Sequence, residues 1–168
     1  PKDVRALTHE GRIGGEELPL LDSLLPSNEA HLTKLIELAK RLAKDRVTLL
    51  GLSFKSDTDD LRESPMVEVA QHLLGRGFEL SIYDPQLNLA KLIGTNKRVI
   101  DEKMPHLATL LTGDLGAALG QSGLVIAAQK CIDLETLRPL ITTEHTLLDV
   151  NGWPELRDLP AHYEGFCW

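Results

Sequence analysis

At the start of the chain, apolar residues follow the spacing of helices with one buried face. Segment 28–44 is the longest case, because its apolar residues recur at intervals of three, four and seven positions. This pattern predicts a long amphipathic helix. Residues 2–11 predict another helix, and residues 18–25 predict a short one that ends or kinks at Pro26. The apolar positions of the long helix are Leu32, Leu35, Ile36, Ala39, Leu42 and Ala43.

After the long helix, short apolar strands alternate with helices. A helix from Pro65 to about Leu74 separates the first two strands. Such alternation predicts a parallel sheet with right-handed crossovers and flanking helices, which is an α/β, Rossmann-like fold. Residues 46–168 are therefore predicted to form one Rossmann-like domain, preceded by a helical segment at 1–45. The predicted strands are 47–51, 78–83, 124–128 and 146–150.

Composition narrows the classes of function. The chain of 168 residues is 42% hydrophobic and 26% charged, which is typical of a globular protein. Its formal net charge of −7 argues against binding to nucleic acids or anionic membranes, which requires basic patches. No apolar run is long enough to span a membrane and no signal peptide opens the chain, so a cytoplasmic location is expected. The missing initial Met indicates a processed or truncated piece of a longer protein.

The two cysteines, Cys131 and Cys167, give no sign of a metal site. They lie far apart in the sequence, without a CxxC pair and without a His-rich partner segment. Neither a structural zinc site nor a disulfide framework is expected, and a reducing compartment is the default.

A cluster of charged residues follows the first predicted strand, between Gly51 and Pro65. It contains one Lys, three Asp, one Arg and one Glu. Ser64 and Pro65 then predict the start of a helix, because Ser caps free N–H groups and Pro suits the first helical position. In open α/β sheets, ligands bind at the carboxyl ends of strands, and helix N-termini favour anions. Two interpretations remain open on physical grounds: an anion-binding turn, or a solvated loop with internal salt bridges.

The cations of this turn suit phosphate, but the turn is not a dinucleotide fingerprint. Lys55 carries a mobile point charge, and Arg62 carries a planar fork suited to bidentate phosphate contact. The residues after Gly51 are Leu-Ser-Phe-Lys-Ser, without the glycines of G-x-G-x-x-G that let a backbone approach a pyrophosphate. Asp84 ends the second strand, where a ribose-binding acid could lie, but its position before Pro85 favours a strand-ending turn.

A longer motif covers the same turn. It reads Gly51-Leu52-Ser53-Phe54-Lys55-x-x-Thr58-x-Asp60-x-Arg62-Glu63-Ser64-Pro65 and resembles the signature of the UDP-glucose/GDP-mannose 6-dehydrogenase family. The opening Pro1-Lys2-Asp3-Val4-Arg5-Ala6-Leu7 resembles the sequence that follows the catalytic cysteine in that family. The ending 164–168 resembles the C-terminus of its GDP-mannose branch. The resemblance covers the whole chain in order.

The resemblance implies that the chain is part of a longer enzyme. Family members have an N-terminal NAD-binding domain, a central helical dimerisation region and a C-terminal sugar-nucleotide-binding domain. Residues 1–45 would be the end of the central region, and residues 46–168 would be the C-terminal domain. The family oxidises the sugar C6 alcohol to a carboxylate in two hydride transfers to NAD, through a thioester on a cysteine. That cysteine would precede Pro1, so the chain alone is expected to lack dehydrogenase activity.

The resemblance also implies roles for five residues. Asp3 matches the aspartate that positions or activates the hydrolytic water, and Lys2 lies beside it near the expected cofactor. Lys55 matches the lysine that reaches the sugar nucleotide near the reacting carbon, where a cation can stabilise oxyanion charge. Phe54 belongs to the same motif and is assigned to substrate binding. Arg62 matches an arginine expected to reach the NAD pyrophosphate. The expected catalytic residues are thus Asp3 and Lys55.

The expected partners are GDP-mannose or UDP-glucose, NAD, the remainder of the same polypeptide, and a second copy in a homodimer. Oxidation of GDP-mannose to GDP-mannuronate is the expected reaction, and UDP-glucose oxidation is its nearest alternative. A non-enzymatic α/β module that senses an anionic metabolite explains the charged turn equally well, and the long helix suits a structural dimerisation fragment. The sequence does not fix the base, which loops around Gln129, Lys130 and 151–153 would recognise.

Overall fold

A five-stranded parallel sheet forms the centre of the molecule in the computed structural model. The structure describes residues 1–53, 60–89, 94, 98, 100, 102, 104–120 and 122–166, and the structural statements below refer to these residues. In chain order the strands are β1 Arg46–Leu50, β2 Glu79–Tyr83, β3 Leu124–Ala127, β4 Thr146–Asp149 and β5 His162–Gly165. Their order across the sheet is β2-β1-β3-β4-β5, and each neighbouring pair is parallel. The predicted α/β fold with a parallel sheet is confirmed.

Both faces of the sheet are buried, which explains why its central strands are mostly apolar. In the strand register, Leu49 of β1 lies between Ile82 and Ile126, and all three side chains belong to one core cluster. Thr48 is a polar residue in this interior. Its Oγ1 donates a hydrogen bond of 2.6 Å to the carbonyl of Ala118, so the hydroxyl is satisfied within the core.

Helices flank the sheet, and side-chain caps define where several of them begin. Ser64, Asp114 and Asp133 accept hydrogen bonds from backbone N–H groups in the first turn of three helices. The helices are α1 Lys2–Gly14, α2 Pro19–Leu42, α3 Pro65–Gly75, α4 Leu107–Leu110, α5 Leu115–Leu119 and α6 Leu134–Leu137, with 3-10 helices at Arg138–Leu140 and Pro154–Asp158. Among these helices, none has the length and apolar composition needed to cross a bilayer.

Helix α2 is continuous through Pro26, so the predicted end of a helix at this proline is wrong, whereas the predicted kink stays a prediction. The helix runs over 24 residues with Pro26 inside it. Proline removes the hydrogen bond to the carbonyl four residues earlier, which belongs to Asp22. Pro26 and Asp22 are both exposed, so water can satisfy the carbonyl that lacks a helical partner. Hydration of that carbonyl offsets only the lost hydrogen bond, which is one part of the cost of the proline.

The second half of α2 is part of the main hydrophobic core. Leu35, Ile36 and Ala39 are 4%, 6% and 0% exposed and pack in the same cluster as Leu49 and other sheet residues. A second cluster covers the opposite face of the sheet. The division of the chain at residue 45 stays a prediction, but the core that supports the sheet extends to the N-terminal side of that boundary.

The tail after β4 contains a strand that the sequence pattern did not predict. Residues His162–Gly165 form β5 at the edge of the sheet, where none of the four is fully buried. An edge strand of this kind lacks the apolar run that identifies the central strands. Between β2 and β3, residues 90–93, 95–97, 99, 101, 103 and 121 lie outside the described residues, and α4 is a short helix of four residues.

Truncation of Ile36 tests whether α2 and the sheet fold as one unit. Ile36→Ala should lower the free energy of unfolding by about 2–5 kcal/mol, because it removes a buried side chain and leaves a cavity. Leu20→Ala on the same helix is the control, since Leu20 is 76% exposed. That change should stay within about 0.5 kcal/mol. Urea unfolding followed by circular dichroism measures both, and equal midpoints for the two variants would contradict the shared core.

Candidate functional site

The carboxyl ends of the parallel strands meet at one edge of the sheet. The strand order places a topological switch point between β1 and β3, where ligands bind in open sheets of this type. Helix α3 begins at the same edge, after the charged turn that follows β1. The first two residues beyond Gly51, Leu52 and Ser53, are 0% and 3% exposed. The turn therefore starts from a buried position.

Gly51 allows the chain after β1 to pass closely against the chain after β3. It has a φ of 87°. A Cβ at this position would lie 2.4 Å from the Cβ of Gln129. Glycine is thus required both by the left-handed backbone conformation and by the lack of space. The contact joins the two loops that flank the switch point.

Asp84 at the end of β2 holds the start of the turn. Its Oδ2 accepts hydrogen bonds from the backbone N–H of Leu52 at 2.8 Å and of Ser53 at 3.1 Å. The hydroxyl of Ser53 donates to the same oxygen at 3.1 Å. The other oxygen accepts from the N–H of Gln86 at 3.1 Å. This buried carboxylate is engaged within the protein rather than presented to a ribose, which confirms its interpretation as a turn residue.

Two further hydrogen bonds hold the same residues. The Oγ of Ser64 donates to the carbonyl of Leu52 at 2.7 Å and also accepts from the first turn of α3. The side-chain amide of Gln129 donates to the carbonyl of Ser53 at 3.3 Å. We call these five residues the turn anchor: Leu52, Ser53, Ser64, Asp84 and Gln129. They join the ends of β1, β2 and β3 to the start of α3.

Arg62 lies on the surface of the turn in a bidentate pair with Asp60. Its Nε and Nη2 donate to the two carboxylate oxygens at 2.9 Å and 2.7 Å. The hydrogen bond from Asp60, and then its charge, raise the pKa of Arg62 above the ordinary value. The internal salt bridges expected for a solvated loop are therefore present in the case of Arg62 and Asp60. The Arg62 side chain remains 55% exposed, so an anion in solution can approach it.

An ion pair brings α1 to the charged turn. Arg5 donates to the carboxylate of Glu63, although the two residues are 58 positions apart. Glu63 has a φ of 55°, a left-handed conformation that is strained for a residue with a side chain. Lys2 and Asp3 are exposed at the start of the same helix as Arg5. The structure thus places these two predicted site residues on an element that contacts the turn, whereas Phe54 and Lys55 lie outside the described residues.

The environment of Cys131 makes it a poor nucleophile. Burial, and then the charge of Asp84, raise the pKa of the thiol from 9.0 to about 12. Its Sγ lies 3.9 Å from the carbonyl of Tyr83. Because the thiolate is the reactive form, Cys131 does not replace a catalytic cysteine. Cys167 lies outside the described residues. In the described part of the chain, no group of three or more His, Cys, Asp or Glu could hold a metal ion.

Asp149 at the end of β4 is a further organising residue, and the sequence analysis did not single it out. Its carboxylate is fully buried and accepts from the N–H groups of Asn151 and Trp153 at 3.0 Å and 2.7 Å. The hydroxyl of Tyr163 donates to it at 2.9 Å. Burial raises the pKa of Tyr163, and the Asp149 carboxylate adds to this effect. The available signal was an Asp directly after an apolar strand, as at Asp84.

The same contacts refine the loop predicted to recognise the base. Trp153 is 5% exposed and packs in the second core cluster, so its ring is not available to stack on a ligand. Asn151 is exposed at the carboxyl edge, and Lys130 is exposed after β3. The accessible part of the predicted region therefore consists of the polar residues rather than the tryptophan.

Comparison with known proteins identifies the family. Residues 48–150 match the model described as the UDP binding domain of the UDP-glucose/GDP-mannose dehydrogenase family. The chain belongs to this dehydrogenase family. The resemblance based on the charged turn is confirmed. The matched residues include the whole turn anchor and Asp149, whereas α1 and α2 precede them and β5 follows.

Several curated relatives match the whole length of the chain. GDP-mannose 6-dehydrogenase from Pseudomonas putida is 38% identical over 100% of this chain and 39% of the relative. The enzyme of the same name from Pseudomonas aeruginosa is 39% identical over 100% of this chain and 38% of the relative. UDP-glucose 6-dehydrogenase AglM from Haloferax volcanii is 35% identical over 51% of this chain. The chain thus spans about 39% of the length of the curated relatives that cover all of it.

A solved structure of the family has the same fold. The crystal structure of a ternary complex of GDP-mannose dehydrogenase from Pseudomonas aeruginosa superimposes with a TM-score of 0.81. It shares 38% sequence identity and covers 100% of this chain, which corresponds to 38% of that chain. The parallel sheet and the helical N-terminal segment are therefore features shared with a family member.

Gly51 and Gly77 form a matched pair for testing the close approach of the two loops. Both have a φ of 87°, but a Cβ at Gly77 would meet nothing within 4 Å. Gly77→Ala should cost about 1–2 kcal/mol for the left-handed backbone alone. Gly51→Ala should cost about 1–3 kcal/mol more, because the methyl group overlaps Gln129. Equal losses in chemical unfolding experiments would contradict the contact.

Alkylation tests the protonation state of Cys131. A pKa raised from 9.0 to about 12 leaves roughly a thousandfold less thiolate near pH 8, so iodoacetamide should modify native Cys131 correspondingly slowly. Mass spectrometry of Cys131 peptides, in native protein and in urea, measures the two rates. A Cys167→Ser variant removes the second thiol and serves as the control. Similar rates in both conditions would show that the native thiol is not protected.

Proposed function

We propose that this chain is the sugar-nucleotide-binding part of an NAD-dependent nucleotide-sugar 6-dehydrogenase that oxidises GDP-mannose to GDP-mannuronate. The observation that carries the proposal is the charged turn after β1, held at the switch point by the turn anchor within a UDP binding domain of this family. The choice of GDP-mannose is supported by curated GDP-mannose 6-dehydrogenases that match 100% of the chain.

A second substrate has its own support. The family model is described as a UDP binding domain, and AglM, a UDP-glucose 6-dehydrogenase, matches 51% of this chain. A UDP-sugar is therefore the alternative substrate. Both candidates carry a nucleoside diphosphate, so both require cations at the carboxyl edge and differ in the base and the sugar.

The proposed roles follow the family motif. Lys55 and Asp3 are the proposed catalytic residues: Lys55 stabilises developing oxyanion charge near the sugar C6, and Asp3 positions the hydrolytic water. Phe54 and Lys55 contact the substrate. The Arg5–Glu63 ion pair supports this arrangement, because it holds the helix that carries Asp3 against the turn that contains Lys55.

NAD would accept hydride from the sugar C6 in both oxidation steps. The turn after β1 does not carry a dinucleotide fingerprint, because it lacks the required glycines, and Asp84 is engaged by backbone groups. We assign Lys2 and Arg62 to contacts with the cofactor. The bidentate pair with Asp60 orients the guanidinium of Arg62, and its exposure leaves it accessible to a pyrophosphate.

The remaining parts of the active site would come from other chain segments. The protonated state of Cys131 supports the view that the nucleophile lies elsewhere. Leu7, Ile13 and Leu20 are 54%, 69% and 76% exposed on α1 and α2. These apolar side chains support contacts with the remainder of the polypeptide or with a second copy in a homodimer. A cytoplasmic location is also part of the proposal.

Calorimetric titration of this chain tests the proposed function. GDP-mannose should bind more tightly than UDP-glucose, and NAD⁺ alone should bind weakly because the Gly-rich turn is missing. Lys55→Ala should weaken the binding of GDP-mannose by about 10- to 150-fold, since a hydrogen bond to a charged group contributes about 1.5–3 kcal/mol. Lys34→Ala, an exposed lysine on α2, is the control and should leave affinity unchanged.

An activity assay completes this test. Mixed with GDP-mannose and NAD⁺, the isolated chain should form no NADH. Turnover by the chain alone would overturn the assignment of the nucleophile to another segment. Preference for UDP-glucose would favour the alternative substrate, and failure to bind either sugar nucleotide would overturn the proposed function.

A further inference from the structure

Every backbone polar group of Leu52 and Ser53 is held by a side chain from another part of the fold. The two N–H groups donate to Asp84, the Leu52 carbonyl accepts from Ser64, and the Ser53 carbonyl accepts from Gln129. These partners come from the end of β2, the cap of α3 and the loop after β3. The first two residues of the turn are therefore fixed independently of any ligand.

Asp84 is the central member of this arrangement. It is 5% exposed and makes four hydrogen bonds to residues that the structure describes, three of which go to Leu52 and Ser53. Within the described part of the chain, no Lys or Arg forms a salt bridge with it. A buried carboxylate is costly unless hydrogen bonds compensate it. Its contacts are concentrated where the charged turn leaves the sheet.

The C-terminal end of the turn, at Ser64, is hydrogen-bonded to its start. Ser64 closes the turn by donating to the Leu52 carbonyl at 2.7 Å while it caps α3. Leu52 and Ser64, which lie on either side of segment 54–63 in the sequence, thus contact each other. Fixing both ends in advance reduces the ordering that ligand binding must otherwise impose, which increases affinity.

We propose that Asp84 is a positioning residue, which fixes the start of the charged turn so that the turn presents Lys55 to the sugar nucleotide. The inference rests on the proposed function and deepens it, because it assigns the position of the turn to a residue that does not contact the ligand. Ser64 and Gln129 act with Asp84 by holding the carbonyl groups of the same two residues.

Graded substitutions separate positioning from general stability. Asp84→Ala removes all four hydrogen bonds and should weaken GDP-mannose binding at least about tenfold. Asp84→Asn keeps one acceptor oxygen, which can still face Leu52 and Ser53, and should show a smaller loss. Ser53→Ala removes the hydroxyl contact and leaves the two backbone contacts in place, so its effect should be the smallest.

His145 provides the matched control. It is 6% exposed, and its imidazole contacts the N–H of Thr142 at 3.0 Å and the carbonyl of Leu119 at 3.1 Å. It precedes β4 and therefore lies at the opposite edge of the sheet. His145→Ala should lower the melting temperature, as Asp84→Ala does, yet leave the affinity for GDP-mannose unchanged in calorimetry below the melting transition.

Amide hydrogen exchange gives a readout that does not require a ligand. Asp84→Ala should accelerate exchange at Leu52 and Ser53 well beyond the change in global stability, whereas His145→Ala should not. A folded Asp84→Ala variant with unchanged affinity overturns the proposal, as does an equal loss in His145→Ala. If Asp84→Ala does not fold, Asp84→Asn is compared with Ser53→Ala instead. Unchanged affinity in a folded Asp84→Asn variant then overturns the proposal. Absence of binding by the unaltered chain overturns the proposed function, and exchange alone then decides whether Asp84 holds the turn.

Discussion

The buried carboxylate of Asp84 is the interaction on which the carboxyl edge of this domain depends. A parallel sheet leaves the backbone groups beyond its strand ends without ladder partners, and buried groups of this kind must be satisfied. Asp84 satisfies those after β1, and Asp149 does the same for the loop after β4. The two strand-end aspartates thus convert a sheet edge into a surface with defined loops, which is the prerequisite for ligand recognition.

Much of the fold follows from local patterns. The apolar runs of β1 and β3 and the Ser64-Pro65 start of α3 are determined by nearby residues, and the predicted boundaries differ from the observed ones by about one residue. The effect of Pro26 was misjudged because it depends on which side of α2 faces water. Strand β5 was missed because it is stabilised by pairing with β4 rather than by an apolar pattern of its own.

The location of the candidate site could be predicted from the sequence, whereas the contacts that hold it could not. The charged turn was identified because residues of distinctive chemistry follow a strand and precede a capped helix. The anchor beneath it joins residues that are 12, 31 and 76 positions apart, and sequence spacing gives no sign of such contacts. Asp84 illustrates the difference. An aspartate that binds ribose and an aspartate that holds a turn both follow the second strand in the sequence. Only the structure, in which neighbouring N–H groups donate to Asp84, distinguishes the two roles.

The two connections of the charged turn differ in their sensitivity to ionic strength. The ion pair between Arg5 and Glu63 is exposed, with side chains 57% and 38% accessible. Dissolved ions screen exposed charges over a Debye length of about 8 Å at physiological salt, and such pairs contribute about 1 kcal/mol or less. The hydrogen bonds of Asp84 are shielded from these ions. Rising salt concentration therefore weakens the connection between α1 and the turn, while the hydrogen bonds that hold Leu52 and Ser53 are little affected.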